Sequence, residues 1–418
     1  MSTSPAERRS ALGVLLLALL SAQTAQQTLS PLLAPFGRET GLSEVQVGLV
    51  MTVAAGTFSV SSLLWGRTVD HWGTRRVLVT GMVIAIVGLL GFAVVANIAL
   101  AQDTSPTVTW LMMVLTRSLI FGAGMGAIPV AAMAHIAATT EGAAERTRGL
   151  GQMGAVQGVA LALGPALGAL LALGGLLGPV WAAPAVVAIA LVVVLRRVPP
   201  TGVPVDAVRP VRVQLRPWDP RVRAFLAVGF LMFCSLGMII IVMGFAFQDR
   251  LELSAASTVR HVGFATFCSG VLMVGVQGFL VPRLGWRPAR LLRAGLPVAC
   301  LGLLGLAWAD TFATLVIMLA LMSLGLGLAM PGYTAGATLQ VGPGEQGSVA
   351  GLVNAVNGMT FMVGPVAGTA LYQVRPELPM LVAAGMCAVA VVLLSTATRF
   401  ARPATAAADM SADDVTGR

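Results

Sequence analysis

Twelve runs of about 20 apolar residues divide this chain, and they constrain its fold more than any other feature in it. A segment of that length in lipid must satisfy its own backbone hydrogen bonds, which an α-helix does and an isolated strand does not. The runs fall at 11–34, 45–65, 77–100, 107–137, 149–172, 177–195, 224–247, 257–280, 290–308, 312–338, 348–373 and 379–398. With 418 residues, 57% of them hydrophobic and 10% charged, and a mean hydropathy of +0.87, a soluble globular domain is excluded. The chain reads as an all-α membrane protein.

Charge placement sets the orientation. All 26 cations are arginine, and they concentrate in alternate loops; with the N-terminus inside, only Arg38, Arg250, Arg260 and Arg375 fall on the outer side. By the positive-inside rule both termini are expected in the cytoplasm of a cell whose inner (plasma) membrane the chain crosses. A pI near 11 is therefore read as a topology signal, and no nucleic-acid partner is expected. Residues 196–223, rich in Pro and Arg without apolar periodicity, are expected to form a cytoplasmic linker between six-helix units at 1–195 and 224–400, with a disordered tail at 401–418. Cys234, Cys268, Cys300 and Cys387 sit singly in four different runs and read as small packing residues. No loop is long enough for a catalytic domain, and no phosphate-binding, metal or cofactor spacing is present. The expectation is a non-enzyme without cofactor or metal, working as a monomer in the lipid bilayer.

One stretch occurs twice. Residues 145–171, ERTRGLGQMGAVQGVALALGPALGALL, are echoed at 345–371, EQGSVAGLVNAVNGMTFMVGPVAGTAL. Identity falls on Glu145/Glu345, Gly151/Gly351, Gly158/Gly358, Gly164-Pro165/Gly364-Pro365 and Gly168/Gly368. Matches concentrated on Gly and Pro rather than on the abundant Ala and Leu point to two copies of one structural unit.

A second echo carries a family resemblance. The loop after the second run, Gly66-Arg67-Thr68-Val69-Asp70-His71-Trp72-Gly73-Thr74-Arg75-Arg76, resembles the G-x-x-x-D-R-x-G-R-R signature of the major facilitator superfamily, with His71 and Thr74 as departures. Its counterpart, Gly278 to Arg287, keeps both glycines and replaces the acid with Pro282. The resemblance implies two pseudo-symmetric six-helix bundles, with Asp70 facing the N-terminus of the eleventh helix as a cytoplasmic gate. Gly66 is expected to allow a neighbouring helix close where helix two ends. Arg75 and Arg76 are expected to anchor the loop in the headgroups. Gly158 with Gly164-Pro165-x-x-Gly168 is similar to the Gly-Pro signature of the drug/proton antiporter group, which exports; a packing helix bent at proline accounts for the same residues.

Polar residues inside spans mark a cavity, because polarity is expensive in lipid. Arg117 lies deep in the fourth run and is similar to the family's fourth-helix arginine motif, although Gly122 follows five residues later rather than four. Gln23, Gln26 and Gln27 on the first helix lie at comparable depth. Arg117 is either a structural arginine satisfied by those amides and backbone carbonyls, or a substrate or coupling residue. Gln157 and Asn357, equivalent under the repeat, with Asn354, either line the same cavity or bond between helices. All 17 acids fall in loops, tails or helix ends, so proton coupling is implied by the resemblance alone. The expected function is secondary active efflux of small organic compounds or drugs by alternating access. A carrier or exchanger of an organic anion, with Arg117 as counter-charge, and a transporter-like sensor that moves nothing are the rivals.

Overall fold

A computed structural model describes residues 5–102, 104–140, 143–197, 216–342 and 345–397. Residues 198–215 of the expected linker, with Arg209 and Arg212, and the tail at 401–418 lie outside the described residues. No strand occurs among the described residues, and 12 helices are long and apolar enough to span a membrane. In chain order they are α1 (Leu12–Glu39), α2 (Glu44–Trp72), α3 (Thr74–Ala101), α4 (Pro106–Thr139), α5 (Arg148–Gly174) and α6 (Leu177–Arg197), then α7 (Arg223–Arg250), α8 (Ala255–Leu284), α9 (Pro288–Ala307), α10 (Phe312–Thr338), α11 (Ser348–Val374) and α12 (Leu378–Ser395). An even number of crossings puts the start of α1 and the end of α12 on one face, called here the termini face.

Two helix ends correct the sequence reading. Helix two does not stop at Gly66; α2 continues through Asp70 to Trp72, and the break is Gly73, at φ 76°. Its counterpart α8 runs through Gly278 to Leu284 and breaks at Gly285, at φ 55°. Hydropathy marks where a helix leaves lipid, not where its hydrogen bonding ends, so the polar last turns looked like loop. Only the second glycine of each signature copy takes the left-handed backbone that favours glycine.

Lipid supplies no hydrophobic drive for helices to associate, so the bundle is held by close backbone approach at small residues. The two halves use the same contacts. Within the first half, a Cβ at Gly168 would lie 2.6 Å from the Thr28 carbonyl oxygen, and one at Gly164 would lie 3.0 Å from that of Thr24, so α5 packs directly on α1. Within the second, the matching positions Gly364 and Gly368 press α11 on α7, 3.0 Å from the Cys234 carbonyl oxygen and 2.7 Å from that of Met238. Gly81, Gly88 and Gly124 seat α3 on α4 as Gly295, Gly302 and Gly325 seat α9 on α10.

The halves meet along two equivalent seams. A Cβ at Gly48 of α2 would lie 3.0 Å from the Pro365 carbonyl oxygen of α11, and one at Gly263 of α8 would lie 2.7 Å from the Pro165 carbonyl oxygen of α5. From Gly48 the α2–α11 seam runs through Thr52, whose Oγ1 donates to the Met362 carbonyl at 2.7 Å, to Ser59 beside Gly358 at 3.3 Å. Two turns on in that antiparallel register, Gly66 would come to Gly351. Both face open space instead, and Gly351, Asn354 and Ala355, on the α11 face that is packed farther along, are exposed. The α5–α8 seam ends likewise at Gly158 and Val274, 3.7 Å apart, beyond which Gly151, Gly154, Gly275 and Gly278 meet nothing. The close helix approach expected at Gly66 is therefore not made here: the halves are joined at the far face and parted at the termini face.

Beside α7, Arg221 donates to both carboxylate oxygens of Glu345, at 2.9 and 3.0 Å, and to Asp219. These bonds hold the Asp219 and Glu345 carboxyls below their ordinary range, so this tie between the α7 and α11 entries is present at neutral pH and lost as pH falls through the lowered values.

Adding one methyl to each echo position separates packing from open space. Gly364→Ala is expected to destabilise the detergent-solubilised protein by about 1–3 kcal/mol, because the atoms it meets are backbone. Gly351→Ala should leave the melting temperature unchanged or slightly raised. Equal shifts for both, read by thermal unfolding, would contradict the seam geometry.

Candidate functional site

Arg117 is 2% exposed, the most deeply buried charge among the described residues. It sits in a widened π-helical segment of α4, Val114–Ile120. Such a segment inserts one residue into the helical repeat and so re-aims the side chains around it. Next to it, the Ser118 hydroxyl donates to the Val50 carbonyl at 2.7 Å, fixing α4 against α2. The guanidinium carbon lies 4.8 Å from the centroid of Phe121, one turn on, a cation–π contact. It makes no hydrogen bond or ion pair among the described residues, and its Nε is enclosed without a partner there. The amides expected to satisfy it do not do so.

What it faces is a cavity of about 70 Å³ between the halves. Gln26, Gln27 and Ser30 of α1, Met51 of α2 and Arg117 line one side; Gly237, Ile240 and Ile241 of α7 with Phe361 and Pro365 of α11 line the other. The structure thus brings Arg117, Gln26 and Gln27 together. Gln23, Gln157, Asn354 and Asn357 do not line this cavity. Asn354 and Asn357 lie seven and four residues before Phe361, on the same face of α11, one to two turns nearer the termini face. There the halves are apart: Asn354 is exposed, and Asn357 is half-buried with its Oδ1 enclosed and unpartnered. Gln157 is exposed at the equivalent level of α5. About 70 Å³ is small for an organic solute, so a larger one must also occupy the space between the parted helices.

Sequence reasoning missed the far-face closure. Arg38, at the end of α1, donates to both carboxylate oxygens of Asp249 at the end of α7, with Nη2 2.9 Å from Oδ2. It also reaches Glu44 at 3.2 Å and lies over the Phe245 ring, 5.0 Å from its centroid. From α11, the Tyr372 hydroxyl donates to Asp249 at 2.6 Å, and Gln373 donates to Glu44 at 3.1 Å. Four helix ends from both halves are thereby tied in one network. Charges at helix ends look like ordinary interfacial residues in a sequence, and Arg38 and Asp249 lie 211 positions apart. Arg250 is spent elsewhere, donating to the carbonyls of Leu306, Ala307 and Ala309 at the end of α9. His261 is likewise structural, its Nδ1 2.7 Å from the Ser257 carbonyl and its ring edge-on to Phe312.

Paired seams, a cavity between two halves and closure at one face are the parts of an alternating-access carrier. The sequence model of the Major Facilitator Superfamily matches residues 15–357 and, in a second register, 287–414. The chain belongs to this superfamily. Facilitator structures share its fold: the human organic anion transporter MFSD10 (TETRAN) superposes with a TM-score of 0.64 at 18% identity, over 94% of this chain and 100% of that one. The nucleoside transporter NupG superposes with a TM-score of 0.69 at 14% identity, over 93% and 99%. No curated protein sequence matches significantly. The protein is a multi-pass membrane transporter of the facilitator fold and not an enzyme.

The far-face network is partly exposed, and such pairs contribute about 0–1 kcal/mol each, so it biases closure without making it permanent. Arg38→Gln is expected to raise the far-side reactivity of Thr52→Cys towards an impermeant maleimide about five-fold, in a background lacking the native cysteines. An unchanged labelling rate would show that the network does not hold this face shut.

Proposed function

We propose that the protein is a secondary transporter that moves a small organic anion with an apolar body by alternating access between the two halves. The observation that carries this reading is the Arg117 guanidinium, buried, without a counter-charge, at a cavity to which both halves contribute. A desolvated cation costs several kcal/mol unless paired, and no carboxylate lines the cavity. A substrate carboxylate, sulfonate or phosphate would supply the missing charge, Gln26 and Gln27 would add donors, and Met51, Ile240, Ile241 and Phe361 would receive the apolar body. That MFSD10 carries organic anions is consistent with this chemistry on this fold.

Efflux of an uncharged drug-like compound is the second reading, favoured by the same apolar lining. The Gly-Pro element of α5 does not strengthen it, because its copy in α11 makes the equivalent helix contact; both are packing devices, and transport direction does not follow from them. Proton coupling, implied by the resemblance, has no carboxylate at the cavity to act on; Asp249 and Glu44 of the far-face network are the acids placed to link protonation to opening. Orientation follows the arginines, with the termini face in the cytoplasm. In the opposite state of the cycle Gly66 would meet Gly351, and Asp70, one turn beyond, would reach the N-terminus of α11, where the helix dipole favours an acid.

Arg117→Gln is expected to abolish thermal stabilisation by organic anions, and anion counterflow in proteoliposomes, while leaving the response to neutral apolar compounds intact. Arg117→Lys should keep part of both. Anion responses left unchanged by Arg117→Gln would favour the neutral-substrate reading, and absence of counterflow for any solute in the parent protein would identify a non-transporting sensor.

A further inference from the structure

A groove of about 360 Å³ sits apart from the space between the halves. It lies on the flank of the first half, where α2 ends, α3 begins and α6 ends, and it is lined by Trp72, Arg75, Arg76, Val79, Thr80 and Leu195. No acid lines it. Arg75 spans the groove to donate from Nη2 to the Leu195 carbonyl at 3.3 Å, and its Nε is enclosed without a partner. Arg76 is exposed, and no hydrogen bond or ion pair ties it to another of the described residues. Arg196 and Arg197 follow Leu195 on the last turn of α6 and add to the positive field.

The groove opens where two lipid-facing surfaces end. On α3 the exposed residues Val83, Val87, Leu90, Val94 and Ile98 recur at three- and four-residue spacing, and Arg76 and Thr80 extend the same stripe to the termini face. On α6 the exposed Ile189, Val192 and Leu195 do the same. An indole at the boundary, Trp72 at 49% exposure, matches the preference of tryptophan for the headgroup level. Apolar walls leading up to two guanidiniums and a hydroxyl match an amphiphile with an anionic head.

We propose that this groove binds an anionic phospholipid of the adjoining leaflet, its phosphate on Arg75 and Arg76 and its acyl chains along Val79, Leu195 and the exposed stripes of α3 and α6. A guanidinium pair presents the forked donors that phosphate oxygens accept, and basic pockets between transmembrane helices at one leaflet are the geometry that selects such headgroups. A lipid seated there would clamp the Gly73 turn to the end of α6, within the first half and apart from the Arg117 cavity. The proposal is independent of what the protein transports.

Native mass spectrometry of the detergent-purified full chain with added phosphatidylglycerol or phosphatidylcholine tests it. The expected result is retention of phosphatidylglycerol over phosphatidylcholine on the order of ten-fold, lost in Arg75→Gln/Arg76→Gln and largely kept in Arg75→Lys/Arg76→Lys and in the far-face variant Arg260→Gln. The Lys pair and the melting temperature of each variant distinguish loss of binding from misfolding. Equal retention of the two lipids by the parent, or unchanged retention in a folded double-Gln variant, would overturn it. Displacement of phosphatidylglycerol by millimolar inorganic phosphate, with short-chain and long-chain lipids held equally, would reassign the site to free phosphate and overturn the lipid assignment.

Discussion

Helices in lipid gain nothing from hiding apolar side chains, so the whole assembly depends on how closely one backbone can approach another. At the two seams between the halves this approach is made in one way twice: the carbonyls of Pro165 and Pro365 face Gly263 and Gly48. Within each half the same helices use the glycines on either side of those prolines, Gly164 and Gly168 or Gly364 and Gly368, to press on α1 and α7. A helix that touches its own half and the opposite half through adjacent small residues can pivot on the second contact while keeping the first. That is why α5 and α11 carry the repeat, and why the seams hold at one end and open at the other.

Charge is distributed to suit that pivot. At the far face an acid and a base pair across the halves, Arg38 with Asp249, where water is near and the tie is reversible. The most deeply buried charge among the described residues, Arg117, has no ion-pair partner among them at the point where both halves line a common space. A structural arginine would be expected to spend its donors on backbone carbonyls, as Arg250 does at the end of α9. Arg117 makes no such bond among the described residues, and in the proposed reading an anionic ligand supplies its counter-charge.

Much of the fold was legible in the sequence, for a reason particular to membranes: twelve helices must each be long and apolar, and the bilayer removes the alternatives. The repeat at 145–171 and 345–371 was legible because glycine and proline cannot be exchanged where backbones touch. Helix ends were less so, since Asp70 and Arg67 remain helical after leaving lipid and only Gly73 breaks the chain. Gly48 and Gly263 carried no signal, being single glycines whose partners lie in helices far away in sequence. At the site, Arg117, Gln26 and Gln27 stood out as polarity within apolar runs, but depth alone could not tell Gln23 from its neighbours, because which side of α1 faces the cavity depends on how α5 packs. The Arg38–Asp249 tie was invisible for the complementary reason that both residues sit where charge is ordinary.

The central claim is that the two faces open in alternation about the Arg117 cavity. Paired spin labels test it most directly, one pair across the termini face at Arg67→Cys and Gln346→Cys, the other across the far face at Gln102→Cys and Arg375→Cys, in a cysteine-free chain reconstituted in lipid. On adding a transported organic anion, the first distance should shorten and the second lengthen by several ångströms, with a matching change in population. Distances that move together, or that stay fixed at both faces while the anion is being transported, would contradict the account.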